Sequence, residues 1–163
     1  MLSNLLQRRH NPAALELLTS KLLNEDTFYA AFEKDLKNCH SELIIESPFI
    51  TNRRVSQLLG IFEKLKERKV RVTINTRDPE EHNDNYMREE AHSALSTLQY
   101  AGIHVIFTES HHRKVAIIDR RILYEGSLNI LSQNNSREIM RRTESAQLAW
   151  QMVRFTKIDK YLN

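Results

Sequence analysis

The sequence predicts an α/β domain in which a central mixed β-sheet is flanked by helices on both faces. Short β-branched runs alternate with longer segments whose apolar residues recur at the helical period, an order typical of strands alternating with helices. Two further apolar runs, separated by polar residues 119–121, indicate a β-hairpin. With 163 residues and 40% hydrophobic content, the chain is long enough for one domain with its own core.

The start of the chain is rich in leucine, and we expect residues 1–25 to form an N-terminal helical extension. Pro12 suits the first turn of a helix, and the leucines within residues 13–24 keep a helical period: Leu15, Leu18, Leu22 and Leu23. Three roles stay open for this helix. It could dock on the sheet, join a dimer interface, or lie where a larger helicase-like protein would continue upstream.

The main domain is expected over residues 26–163. Asp26 is placed to cap a first helix that carries Phe28, Phe32 and Leu36 on one face. Residues 78–85 are the most polar loop, which we interpret as a solvated connector rather than a metal site. The apolar pattern predicts the remaining elements: strand 42–47, helix 52–68, strand 70–75, helix 86–100, strand 103–107, hairpin strands 115–118 and 122–124, and a closing helix 146–161.

Composition limits the class of protein. No run of 18 apolar residues is present, and the first residues do not resemble a secretory signal because Asn11 and Pro12 soon interrupt them. The single cysteine, Cys39, cannot form an internal disulfide and is consistent with a reducing compartment. We therefore expect a cytoplasmic protein that does not bind a membrane.

The stretch HRKVAIIDRRILYEGSLN, from His112 to Asn129, carries the residue types of a phosphodiester-cleaving site. His112 and Lys114 are two apart at the start of a strand, so their side chains leave on the same face and one phosphate could contact both. Gly126 ends the second hairpin strand before Ser127 and Asn129, where the missing Cβ atom permits a positive φ or a close backbone approach. We therefore expect an imidazole, an ammonium group and short polar donors in one pocket.

These residues resemble the HKD motif of the phospholipase D superfamily, and specifically of its nuclease-like branch. The segment 131–142 (LSQNNSREIMRR) and the stretches 43–50 and 70–77 are similar to phospholipase D-like domains associated with bacterial helicases and restriction systems. The resemblance covers about residues 26–145. It implies a phospholipase D-like fold.

The resemblance also implies a role for each motif residue. His112 would be the nucleophile that forms a covalent phosphohistidine, which splits one displacement into two easier ones. Lys114, Ser127 and Asn129 would hold the non-bridging phosphate oxygens as charge shifts in the transition state. Glu138 would accept a hydrogen bond from the other ring nitrogen of His112 and fix its tautomer. No metal ion or other cofactor takes part in this scheme.

Two neighbours of these residues have other expected roles. Asp119, the third residue of the motif, lies at the hairpin turn across the strand from His112 and Lys114. We interpret it as an organiser of the hairpin or of a dimer contact rather than a proton carrier. His111 is expected to be structural or to contact phosphate weakly.

The chain carries one HKD motif, and this predicts a homodimer. Cleavage by a histidine needs a second group to protonate the leaving oxygen, and superfamily members supply it by bringing two motifs to one site. No other histidine is followed by a lysine two residues later. We therefore expect a two-fold dimer in which one His112 attacks and the second subunit's His112 acts as the acid.

Basic charge is concentrated in the part of the chain that carries the motif. Residues 1–109 contain 14 basic and 16 acidic residues, whereas residues 110–163 contain 10 and 5. This asymmetry suits a nucleic acid backbone, and we favour DNA over RNA as the partner. Arg113 and Arg141 are the candidate substrate-binding residues. Alternatively, the arginines in and after the motif could simply form a solvent-exposed surface with no ligand: Arg113, Arg120, Arg121, Arg137, Arg141 and Arg142.

The sequence thus predicts a metal-independent phosphodiesterase that acts on nucleic acid, which is a nuclease. A lipid phosphodiesterase is one alternative, and it should show a membrane-facing apolar segment or two motifs in one chain. The other alternative is a non-catalytic nucleic-acid-binding module that serves a helicase partner.

Overall fold

The computed structural model describes residues 19–162 and contains a seven-stranded mixed β-sheet with helices on both faces. The α/β fold class is therefore confirmed. The strands are β1 (Ser20–Asn24), β2 (Glu42–Glu46), β3 (Arg71–Thr76), β4 (His104–Phe107), β5 (Val115–Ile118), β6 (Ile122–Gly126) and β7 (Ile139–Glu144). The helices are α1 (Phe28–Lys37), α2 (Asn52–Glu67), α3 (Asn85–Tyr100) and α4 (Ala146–Thr156), with 3₁₀ turns at Pro79–Glu81 and Ile158–Tyr161.

The strand order across the sheet is β1-β7-β6-β5-β2-β3-β4. Strands β2, β3 and β4 are parallel because α2 and α3 each return the chain to the edge where the previous strand began. The pairs β2–β5, β5–β6, β6–β7 and β7–β1 are antiparallel. The parallel half of the sheet therefore has all its carboxyl ends on one edge.

Each face of the sheet has its own apolar core. Leu43 and Ile45 of β2 pack into the larger core beside α1, α2 and α3, whereas Ile44 between them packs beside α4. This alternation is the period of a strand covered on both faces. It explains why β2 is apolar at consecutive positions.

Residues 20–24 correct the prediction for the N-terminal segment. A helix was expected over residues 13–24, but Ser20–Asn24 forms the edge strand β1 and pairs with β7. Leu23 packs against the larger core while Leu22 is 72% exposed, as alternation along a strand requires. Residues 1–18, which hold the rest of the expected helix, lie outside the described residues.

Strand β7 is the other difference from the predicted elements. Its sequence, IMRRTE, has too few apolar residues to predict a strand, yet it pairs with β6 on one side and β1 on the other. Smaller differences concern helix ends. Thr27, and not Asp26, is the N-cap of α1, and α4 ends at Thr156 because Lys157 adopts a positive φ of 54°.

Candidate active site

The motif residues come together because of the register between strands. Glu46 at the end of β2 lies opposite Val115 at the start of β5, and Val115 lies opposite Glu125 near the end of β6. Gly126 lies opposite Met140 at the start of β7. The residues just before β5, just after β6 and just before β7 therefore emerge on one side of the sheet. We name this side the motif edge, formed by residues 112–114, 127–129 and 138.

His112 and Lys114 lead into β5 at the motif edge. His112 is exposed, and its ring has no hydrogen bond to another residue in the range 19–162. The Lys114 ammonium donates a hydrogen bond to the backbone carbonyl of His112 at 2.7 Å. Burial lowers the pKa of Lys114, and the nearby negative charge of Glu138 opposes that shift. The Lys114 cation is thus held beside the backbone of His112, the residue that the sequence predicts to be the nucleophile.

Ser127 is fixed by the first residue of β7. Its hydroxyl accepts a hydrogen bond from the Ile139 backbone N–H at 3.1 Å and donates a longer one to the Ile139 carbonyl at 3.4 Å. Gly126 allows this contact, since a Cβ atom there would overlap the Ile139 carbonyl oxygen and the Cα atom of Met140. Its φ is not in the positive region, so the close approach of a neighbouring strand is what requires glycine.

Asn129 and Glu138 complete the motif edge. The Oδ1 atom of Asn129 is buried and accepts no hydrogen bond from the described residues, whereas most buried polar atoms in proteins have a partner. Glu138 is half-buried, and its backbone N–H donates to the Glu25 carboxylate at 3.0 Å. Within the described residues, Glu138 forms no hydrogen bond with His112. The expected contact between these two side chains therefore stays a prediction.

Arg113 points to a different partner from the one expected. Its Nε and Nη2 atoms donate to the Glu46 carboxylate at 2.5 and 2.9 Å. Glu46 is 1% exposed and also accepts a hydrogen bond from the Asn75 amide at 3.0 Å. Two of the arginine donors thus connect the segment before β5 to β2. Whether Arg113 also contacts a substrate stays a prediction. Arg141, the other candidate, lines a groove of about 320 Å³ together with Ser127, Leu22 and Ile139.

His111 is enclosed behind the motif edge. It is 2% exposed, and both of its ring nitrogens are buried. Burial lowers its pKa to about 4, so the ring is neutral at neutral pH. A neutral, buried ring favours the structural role over the phosphate contact.

Asp119 is not part of the motif edge, although it belongs to the motif. It lies at the opposite end of β5 and accepts hydrogen bonds from the backbone N–H groups of His40, Ser41 and Glu42. Burial alone would raise the pKa of Asp119, but these bonds outweigh it and lower the pKa to about 2. The carboxylate thus connects the hairpin turn to the start of β2, and the structure gives it no place among the groups that could touch a phosphate.

Sequence reasoning missed Glu46 and Asn75. Both are fully buried polar residues at the carboxyl ends of parallel strands, next to the motif edge. The signal was present, because Glu46 ends the apolar run LIIE directly before Ser47 and Pro48. A charged residue at the end of an otherwise buried strand indicates a specific partner.

Comparison with known proteins gives the family. A family model described as "Cardiolipin synthase, PLD-like domain" matches residues 32–158, which is most of the chain. The chain belongs to the phospholipase D-like (PLD-like) domain family. Members of this superfamily are phosphodiesterase-type enzymes. No match was found among curated protein sequences.

Solved structures show the same PLD-like fold. The phospholipase D family member Nuc from Salmonella typhimurium superposes with a TM-score of 0.71 at 14% identity, covering 88% of this chain and 94% of Nuc. NucT from Helicobacter pylori has a TM-score of 0.65 at 17% identity, covering 85% and 92%. Phosphatidylserine synthase from Haemophilus influenzae has a TM-score of 0.62 at 16% identity, covering 86% of this chain and 38% of the synthase.

Among residues 19–162 of this PLD-like chain, every helix is too short or too polar to span a lipid bilayer. In the same range, no three His, Cys, Asp or Glu side chains are grouped so that they could hold a metal ion.

Proposed function

We propose that this PLD-like domain is a metal-independent phosphodiesterase that cleaves nucleic acid through a phosphohistidine, at an HKD site shared by two subunits. The supporting observation is the convergence of His112, Lys114, Ser127, Asn129 and Glu138 on one edge of the sheet. These side chains offer a nucleophile, a fixed cation and short polar groups. They are the groups that phosphoryl transfer needs for attack and charge stabilisation.

In the first step, a neutral ring nitrogen of His112 attacks phosphorus. The bond between phosphorus and the leaving oxygen breaks, and the second subunit's His112 donates a proton to that oxygen. The Lys114 ammonium and the polar groups of Ser127 and Asn129 bind the non-bridging oxygens. The first product leaves, and the phosphoryl group stays on His112.

In the second step, water attacks the phosphohistidine. The second subunit's His112, now neutral, removes a proton from the water, and the nitrogen–phosphorus bond breaks. The released imidazole and the protonated partner ring restore the starting state. Glu138 would orient the His112 ring through the nitrogen that does not attack.

The choice of nucleic acid rests on charge. The surplus of five basic residues in the range 110–163 gives a polyanion a sequence-independent attraction to the part of the chain that carries the motif. We keep DNA as the favoured substrate. A helicase partner, and a place in the helicase-associated branch of the superfamily, are hypotheses that rest on the sequence resemblance alone.

A phospholipid is the second candidate substrate. The matching family model is described by cardiolipin synthase, and one structural neighbour is a phosphatidylserine synthase. The same groups at the motif edge could cleave a phospholipid diester, because the reacting atoms are identical. The difference lies in the groups that flank the phosphate.

Cleavage in the presence of a chelator tests the proposal. Single- and double-stranded DNA and RNA, and separately vesicles containing cardiolipin, are incubated with wild type and with His112→Ala. We expect wild type to cut a nucleic acid despite the chelator and His112→Ala to be inactive. Hydrolysis of lipid alone would favour the second candidate, and binding of nucleic acid without cleavage would favour the non-catalytic module.

A further inference from the structure

A second cluster of positive charge lies at the end of the sheet opposite the motif edge. A cleft of about 430 Å³ opens there, beside the starts of β2, β3 and β4. Its lining includes the basic residues Lys66, Lys69 and Arg71, the acidic residue Glu42, and His104. A volume of this size is in the range that holds a small ligand or one segment of a polymer.

The single acidic residue of the cleft is already neutralised. Glu42 is 3% exposed, and its carboxylate accepts from Arg71 Nη2 at 3.0 Å and from Arg120 Nε at 2.7 Å. Two guanidinium groups share one carboxylate, so these three side chains carry a net positive charge. Neither Lys66 nor Lys69 forms an ion pair with any residue in the described part of the chain.

Lys66 is held in place at the cleft. Its ammonium donates to the Gly102 carbonyl at 2.6 Å. Gly102 has a φ of 67° and no side chain, and the last atoms of Lys66 lie 3.4–3.7 Å from where a Cβ atom would be. One cation is therefore positioned before any ligand arrives, which reduces the ordering cost of binding. Lys69 lines the same cleft, two residues after the end of α2, and has a positive φ of 62°.

We infer that this cleft is a second anion site that binds phosphate groups, and that in the intact reaction it holds the backbone of a nucleic acid strand away from the scissile bond. The choice of a strand as the source of the phosphate rests on the proposed function, whereas the anion site does not. The cleft and the motif edge lie at opposite ends of the five-residue strand β2. A strand of this length spans about 13 Å, which equals the rise of about four nucleotides along the axis of a duplex.

The first experiment locates phosphate binding. Inorganic phosphate is titrated into ¹⁵N-labelled protein at constant ionic strength, with chloride as the control anion, and amide shifts are followed by NMR. We expect saturable shifts at Lys69, Gly102 and His104, and their loss in Lys66→Ala/Lys69→Ala. Shifts confined to residues of the motif edge would overturn the anion site.

The second experiment tests whether the cleft binds a nucleic acid strand. Affinity for a DNA oligomer is measured against salt concentration in a His112→Ala background, with and without Lys66→Ala/Lys69→Ala. Loss of two phosphate contacts should lower the slope of log affinity against log salt by about two. The matched control, Lys34→Ala/Lys37→Ala on α1, removes the same charge elsewhere and should leave the slope unchanged.

Turnover separates this inference from the proposed function. Hydrolysis of a small chromogenic phosphodiester by Lys66→Ala/Lys69→Ala with His112 intact should equal that of wild type, because the cleft is remote from the reacting atoms. If DNA does not bind at all, the inference that the cleft holds a nucleic acid strand is overturned. Phosphate shifts at Gly102 would still support the anion site. Equal slopes for the cleft variant and its α1 control would also overturn the inference that the cleft holds a nucleic acid strand.

Discussion

Lys114 supplies a positive charge at the motif edge. Its ammonium lies beside the His112 backbone and near the Glu138 carboxylate. Lys114→Ala removes a charge-assisted contact to the transition-state oxygens, so we expect the rate constant of the chemical step to fall by about 30-fold or more, equivalent to about 2 kcal/mol. Single-turnover cleavage with saturating enzyme measures the chemical step. A rate equal to that of wild type would remove Lys114 from the site.

Asp119 belongs to the motif, but its role is structural. Asp119→Ala would leave three backbone N–H groups without their acceptor, and we expect the free energy of unfolding to fall by about 1–3 kcal/mol. Urea denaturation measures this loss. The exposed Asp159 has no side-chain hydrogen bond or ion pair within the described residues, so Asp159→Ala is a control that should change stability by less than about 0.5 kcal/mol.

The same residue predicts a dependence of stability on pH. The pKa of Asp119 in the folded protein, about 2, is below the ordinary aspartate value of 3.8, so the unfolded chain binds more protons between these values. The contribution of Asp119 is therefore complete above about pH 4 and is lost as the pH falls toward 2. Wild type should lose stability in this window more steeply than Asp119→Ala. Parallel curves would show that the carboxylate does not carry this interaction.

At the scale of elements, substitution of two glycines by alanine should change the free energy of unfolding in opposite directions. Gly126 lies where β6 and β7 approach, and Gly126→Ala would force the strands apart next to Ser127. We expect a loss of about 1–3 kcal/mol in the free energy of unfolding, together with reduced activity. Gly60 is exposed in the middle of α2, and a Cβ atom there would meet nothing within 4 Å. Gly60→Ala should therefore stabilise the protein by about 0.5–1 kcal/mol.

Thermal and urea denaturation of the two variants measure this contrast. Because both substitutions add the same methyl group, their difference reports the surroundings of each glycine. Equal effects on stability would contradict the close contact between β6 and β7. An active Gly126→Ala variant with wild-type stability would show that Ser127 does not need this contact.

At the scale of the whole molecule, the proposed mechanism requires two subunits. Sedimentation at assay concentrations should show a dimer, and activity per subunit should fall on dilution below the dissociation constant. Mixing wild type with an excess of His112→Ala should also lower the activity per wild-type chain, because mixed dimers hold one imidazole. An unrelated protein at equal concentration is the control. A monomer with full activity would contradict the shared site.

The sequence by itself determined the parts that depend on local periodicity and residue chemistry. It was sufficient for the parallel strands with their helices, for the hairpin of β5 and β6, and for the motif residues, whose identities are visible in one stretch of 18 residues. These features need no knowledge of distant partners. His112 and Lys114 were expected at the start of one strand, and both residues lie directly before β5.

Only the tertiary structure decided which distant residues meet. Residues 20–24 are helical by periodicity but form a strand because β7, more than 100 positions later, offers backbone partners. Arg113 was expected to contact substrate, yet Glu46, separated from it by 67 positions, takes two of its donors. The physical reason is that backbone pairing and buried ion pairs gain their free energy from groups that a local pattern does not contain.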